Sequence, residues 1–200
     1  MSIYKSWEEY FNRLLRDIAA KYQGKVNEPK KVRLDEIFHY SDYSGTINAH
    51  YVIIVINQFV SLDQGITQIS GSDDIEYLHL KIKTNSRLNF QLTKEDLSTK
   101  VAKFMHLESE FKTGNTKFDT KFLVKIRSEE DKTIISDSRL QELVYKLEPF
   151  VLLELKDGIL HWAQTIIRGE QLRFSEVDKY LGYLLTLADM FTQHLRGNSD

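Results

Sequence analysis

Leu152-Leu153-Glu154-Leu155-Lys156-Asp157-Gly158-Ile159-Leu160-His161-Trp162 decides the fold. Asp-Gly between two apolar runs is the strongest short-range signal for a two-residue hairpin, because both turn positions need a left-handed backbone. A loop of that length sets Leu155 opposite Leu160, Leu153 opposite Trp162 and Glu154 opposite His161. Antiparallel pairing is therefore predicted for the second half of the chain.

Other strands read the same way. Glu76 to Lys83 alternates, with Leu78, Leu80 and Ile82 on one face and Tyr77 and His79 on the other. Thr84-Asn85-Ser86 turns the chain into Leu88, Phe90 and Leu92, and a further strand is expected over Phe118 to Ile126. Ile37 to Tyr40 and Thr46 to Ile56 flank Asp42-Tyr43-Ser44-Gly45, which reads as a turn. Val52 to Ile56 is apolar on both faces, as a central strand would be. Phe59 to Gly71 carries no clear period.

Helices frame these strands. Ser6 and Glu9 form a capping box ahead of a stripe of Trp7, Phe11, Leu14, Leu15, Ile18 and Tyr22, which Gly24 stops. Thr93 to Leu107 reads as a short helix. Ser138 and Gln141 are expected to cap another, ended by Pro149. A long final helix is expected to open at Ser175, with Asp178 as capping partner. It would bury Val177, Leu181, Leu184, Ala188, Phe191 and Leu195. No repeat or linker divides the 200 residues. The expectation is one α+β domain over 1–200, with a possible subdivision near 106–112: a mostly antiparallel sheet with amphipathic helices on it.

Composition narrows the function classes. The chain is 42% hydrophobic, which is ordinary for a globular protein. It has no cysteine, which removes disulfides, thiolate nucleophiles and cysteine-based metal sites. The longest apolar run, Tyr51 to Ile56, is far short of the ~20 residues that span a bilayer. No signal-peptide pattern opens the sequence, so a soluble, cytoplasmic protein is expected, without membrane attachment.

Charge is unevenly laid out. Leu34 to Leu80 holds seven acids and no Lys or Arg, whereas Lys81 to Lys125 holds ten Lys and Arg against five acids. Neither block is dense enough for DNA or RNA binding. They suit complementary charges on neighbouring strands, an acidic face for a basic partner, or head-to-tail self-association.

Chemistry-bearing clusters are sparse. With a turn at 42–45, His39, Asn48 and His50 would share one face, with Asp42 or His79 completing a site. His39, His50 and Asp42 are thus the candidate metal ligands. No His-x-His or His-Glu-x-x-His spacing backs them. Glu154 and His161 form a cross-strand pair with no nucleophile beside it. Asp73-Asp74 lacks the spacing of a calcium loop, and no glycine-rich phosphate loop occurs. No catalytic residue set and no cofactor emerges.

Thr113-Gly114-Asn115-Thr116-Lys117-Phe118-Asp119-Thr120-Lys121-Phe122-Leu123-Val124 resembles the Thr-Gly-Asp-x-x-Phe-Asp-x-x-Phe-x-Val signature of certain uncharacterised bacterial domains of unknown function. The resemblance covers the second half of the chain, and Asn115 replaces the usual Asp. It implies a bacterial origin and a helix, a hairpin and a long helix downstream, with no activity attached. By its position, Asp119 is expected to tie the turn backbone.

Three functional expectations follow. First comes a non-catalytic module that binds another protein or itself. Second comes a small-molecule binder with a cavity between the sheet and the C-terminal helix, lined by Tyr51, Trp162 and Phe191. Third comes a metal- or histidine-dependent enzyme built around His39 and His50.

Overall fold

A computed structural model describes residues 3–27, 42–57, 75–94, 111–167 and 172–197. Among them are eight strands and five helices. The strands are β1 Lys25–Asn27, β2 Asp42–Ile47, β3 His50–Asn57, β4 Ile75–Lys83, β5 Phe90–Lys94, β6 Phe122–Ile126, β7 Leu152–Lys156 and β8 Ile159–Ile167. The helices are α1 Ile3–Tyr22, α2 Thr116–Lys121, α3 Glu129–Ile135, α4 Ser138–Lys146 and α5 Phe174–Gly197. The strands form a sheet in the order β1-β2-β3-β4-β8-β7-β5-β6, and the α+β class with a long C-terminal helix is as expected. The chain divides into two compact units, Met1–Leu80 with Gln164–Lys179 and Lys81–Ala163 with Tyr180–Asp200.

In the first unit, α1 packs on β1 and β2 through buried Phe11, Leu14, Leu15 and Ile18. The helix begins at Ile3, so Ser6 lies inside it and is not its cap. At the other end Gln23, not Gly24, adopts the left-handed conformation (φ 56°). The β2–β3 hairpin also departs from expectation. Its turn is Asn48-Ala49, both at positive φ, and Ile47 pairs with His50. Asp42 to Gly45 is strand, not turn. Asn tolerates the left-handed region, while Tyr43 is drawn into the core and fixes the pleat of β2. On β4, Tyr77 and His79 are buried along with Leu78 and Leu80, so this strand is covered on both faces and not only one.

In the second unit the Asp157-Gly158 hairpin has the expected register: Leu155 opposite Leu160, Leu153 opposite Trp162, Glu154 opposite His161. Both turn residues have positive φ. The Gly158 carbonyl accepts the Thr84 N–H at 2.7 Å, which ties the turn to the segment after β4. Trp162 is fully buried, and its indole donates to the Leu147 carbonyl at 3.1 Å. Phe191 of α5 meets Phe90 of β5 edge-on at 5.5 Å. Burial of each such side chain is worth about 1.5–3 kcal/mol.

Three helical details differ from the sequence reading. Phe118 belongs to α2, and the strand starts only at Phe122. Helix α3 was not expected. It is opened by a Ser128–Asp131 capping box, and the Asp131 carboxylate also accepts the Asn89 and Arg127 N–H groups. Asp137, not Ser138, caps α4, accepting from the Arg139 and Leu140 N–H groups. The expected strand 37–40, the 59–71 excursion, Asp73-Asp74 and the 95–107 part of the expected helix lie outside the described residues.

Candidate functional site

The histidine cluster depends on the hairpin register. His50 lies on the buried face of β3 with Val52 and Ile54. Asp42 pairs with Val55 and therefore lies on the opposite face, five residues along the strand. Its carboxylate accepts the Asn27 side-chain amide at 2.5 Å. The structure does not bring Asp42 and His50 together, and His39 lies outside the described residues. Among the described residues no group of three or more His, Asp or Glu could hold a metal ion.

The expected cavity residues fall in different units. Trp162 and Phe191 are fully buried side chains of the second unit. Tyr51 belongs to the first unit and is 46% exposed, because the Asn48-Ala49 turn sends it to the outer face of β3. Glu154 and His161 do pair, at 3.1 Å.

A different feature stands out in the second unit. Lys94 of β5 and Thr116, Lys117, Thr120 and Lys121 of α2 line an open groove of about 680 Å³. The sequence builds it through a short helix. The Asn115 side chain accepts the Phe118 N–H and caps α2. Its amide donates to Gln141 Oε1 at 2.6 Å, a bond an Asp at this position could make only when protonated. Asp119 accepts the Thr113 N–H, the Thr113 hydroxyl and the Gly114 N–H at 2.8, 2.8 and 3.0 Å. The Asp119 side chain therefore closes the preceding turn, as its position led us to expect.

Helical spacing then sorts the side chains. Thr116 and Thr120, and Lys117 and Lys121, are i,i+4 pairs and share one side of α2. Phe118 faces inward and packs with Phe122 and Tyr145 at 4.9 and 5.8 Å. The ammonium groups of Lys117 and Lys121 stand 5.6 and 5.5 Å from the Tyr145 ring centre, in the range of cation–π attraction. Burial raises the Tyr145 phenol pKa, an effect that Lys121 opposes. The Tyr145 hydroxyl is buried without a hydrogen-bond partner.

One carboxylate serves two of the three lysines. Glu148 lies 2.5 Å from Lys121 and 3.9 Å from Lys94. Its side chain is only 19% exposed, and its backbone carbonyl accepts the Tyr180 hydroxyl at 3.2 Å. Reading 118–126 as strand hid this groove, because alternation would scatter the Thr-Lys pairs over two faces. The available signals were the basic block from Lys81 to Lys125 and the repeated Thr-Lys at 116–117 and 120–121.

The other groups with shifted pKa values have structural explanations. Burial raises Tyr10, Tyr22, Tyr43 and Tyr77. Lys21 is raised and Asp178 lowered by their mutual bond. No helix among the described residues is long and apolar enough to cross a membrane.

No family model and no curated protein matches the sequence. A solved structure with the same fold is that of the mycobacterial trehalose monomycolate transport factor A, TtfA. It aligns with a TM-score of 0.56 at 8% identity, over 88% of this chain and 92% of that one. At that identity the likeness is one of fold.

Proposed function

We propose that the protein is a non-catalytic interaction module whose second unit docks an acidic segment of a partner protein. The observation that carries this reading is the groove of Lys94, Thr116, Lys117, Thr120 and Lys121. Ammonium groups offer point-charge donors to carboxylates, and the threonine hydroxyls add neutral hydrogen bonds beside them. An open groove on a short helix suits an extended chain better than a small molecule, whose pockets are concave and enclose most of its surface. The fold shared with a protein named as a transport factor supports a binding role on this scaffold, and nothing about its cargo is carried over.

Anisotropy of a fluorescein-labelled hexaglutamate peptide provides the test. Saturable binding is expected at low ionic strength and should weaken as salt rises. Lys117→Gln combined with Lys121→Gln should weaken it about ten-fold. The reading fails if the peptide does not bind, or if the double variant binds it as well as wild type. A peptide of six glutamines serves as the neutral comparison. Free phosphate that binds in the groove where the peptide does not would redirect the reading to a small anion.

A further inference from the structure

The groove has its own anion built in. Glu148 sits between Lys94 and Lys121 at 3.9 and 2.5 Å, more buried than either lysine. Its backbone is pinned: the N–H reaches the Tyr145 carbonyl at 3.4 Å and the carbonyl accepts the Tyr180 hydroxyl. From that fixed backbone the carboxylate reaches both lysines. It leaves three lysines with two net positive charges, and among the described residues Lys117 has no carboxylate partner.

Resting on the docking role proposed above, we infer that Glu148 is an internal counter-ion that competes with the partner's carboxylates for Lys94 and Lys121. It acts as a specificity-determining residue. A ligand with a single negative charge meets a groove already one third neutralised and gains little over water. A run of closely spaced carboxylates can engage Lys117 first and then share Lys121 and Lys94 with Glu148. The device selects acidic runs over isolated acids without needing any shape-specific pocket. It also gives the Lys94 and Lys121 ammonium groups a common partner when no ligand is present.

Glu148→Gln removes the charge and keeps the shape. It should tighten hexaglutamate binding about five-fold, the scale of one partly exposed ion pair. It should also tighten a peptide with one glutamate among glycines by a larger factor, narrowing the preference for runs. The gain should vanish when Lys94→Gln and Lys121→Gln are added, in a double-mutant cycle. Glu148→Asp retracts the carboxylate by one methylene, and should fall between wild type and Glu148→Gln. It gives a second reading if the glutamine variant proves too unstable. Thermal melts confirm that each variant is folded.

If wild type binds hexaglutamate through its lysines but Glu148→Gln binds no tighter, the counter-ion role is wrong while the docking role stands. If neither protein binds the peptide, the docking role is wrong and this inference goes with it.

Discussion

Tyr43 is fully buried, and its ring lies across two glycines, Gly24 after α1 and Gly45 in β2. A Cβ on Gly24 would stand 2.0 Å from Tyr43 Cε2, and one on Gly45 would stand 2.4 Å from the hydroxyl oxygen. The glycines are there for close approach, since neither has a positive φ. That hydroxyl has no hydrogen-bond partner among the described residues, so it is desolvated without compensation from them. Gly24→Ala should therefore destabilise by about 3 kcal/mol, and Gly45→Ala should be comparable. Tyr43→Phe should be neutral or stabilise by up to about 1 kcal/mol. Combined with Gly45→Ala, Tyr43→Phe should recover part of the loss, because it removes the atom that the new methyl meets first. At Gly24 it should recover little, because there the clash is with the ring. Urea unfolding of the five variants checks all of this. Equal losses with and without the hydroxyl at position 45 would contradict the geometry. The sequence marked Gly24 as a helix stop. A glycine required by a tyrosine elsewhere in the chain leaves no local signature.

At the scale of elements, local chemistry and tertiary context divided the outcome. Asp157-Gly158 carries its own left-handed preference, so the hairpin and its register were legible from eleven residues. Asn48-Ala49 does not, because alanine rarely takes φ near +66°, and Asp42-Tyr43-Ser44-Gly45 looked the better turn. Helix α5 was legible as a stripe, yet the role given to Asp178 was not. The first turn of α5 is instead bonded by Glu176, which accepts the Arg173 N–H at 3.0 Å. Asp178 reaches α1, accepting from Lys21 Nζ at 2.6 Å and from the Tyr22 hydroxyl at 2.6 Å. Burial pushes the Asp178 carboxyl up, but the bonds from Lys21 and Tyr22 outweigh it and hold it below the usual carboxylate range. The bond to Asp178 raises the Lys21 ammonium. A depressed carboxyl adds stability above its unfolded pKa of about 3.9 and loses it as pH falls through the folded value. A raised lysine adds stability below about 10.4 and loses it as pH rises through the folded value. The α1–α5 link should thus be strongest from about pH 5 to pH 9. Asp178→Asn should lower the melting temperature by a few degrees in that window, and the difference should fade as pH drops through the depressed folded-state value of the Asp178 carboxyl. A difference that persists in acid would show that the ion pair is not what Asp178 contributes.

For the whole molecule, the class and the long final helix could be read from periodicity, while the division into two units could not. The unit boundaries fall inside β4, β8 and α5, where the apolar pattern runs on without a break. Charge is a whole-chain property that the sequence states directly. Seven acids and no Lys or Arg occupy Leu34 to Leu80, and the basic block that follows contains all three groove lysines. A second copy of the chain is then itself a source of acidic segments for the groove. At low salt the two blocks attract over about 30 Å, and at 0.15 M over about 8 Å, so any such association must be strongly salt-dependent. Sedimentation velocity over a range of concentrations should show the weight-average coefficient rising at ~10 mM salt and flattening at ~0.3 M. The triple variant Lys94→Gln, Lys117→Gln, Lys121→Gln should stay flat at both, although it raises the net negative charge by three. General repulsion alone would also suppress association in that variant. Lys132→Gln separates the two explanations, because it makes the chain more negative by one charge, as each groove substitution does, and leaves the groove untouched. Association that strengthens in Glu148→Gln and survives Lys132→Gln, whose ammonium pairs with Glu129 outside the groove, places the contact at the groove. Association that tracks net charge across all the variants would remove the groove from self-association and leave it to a foreign partner.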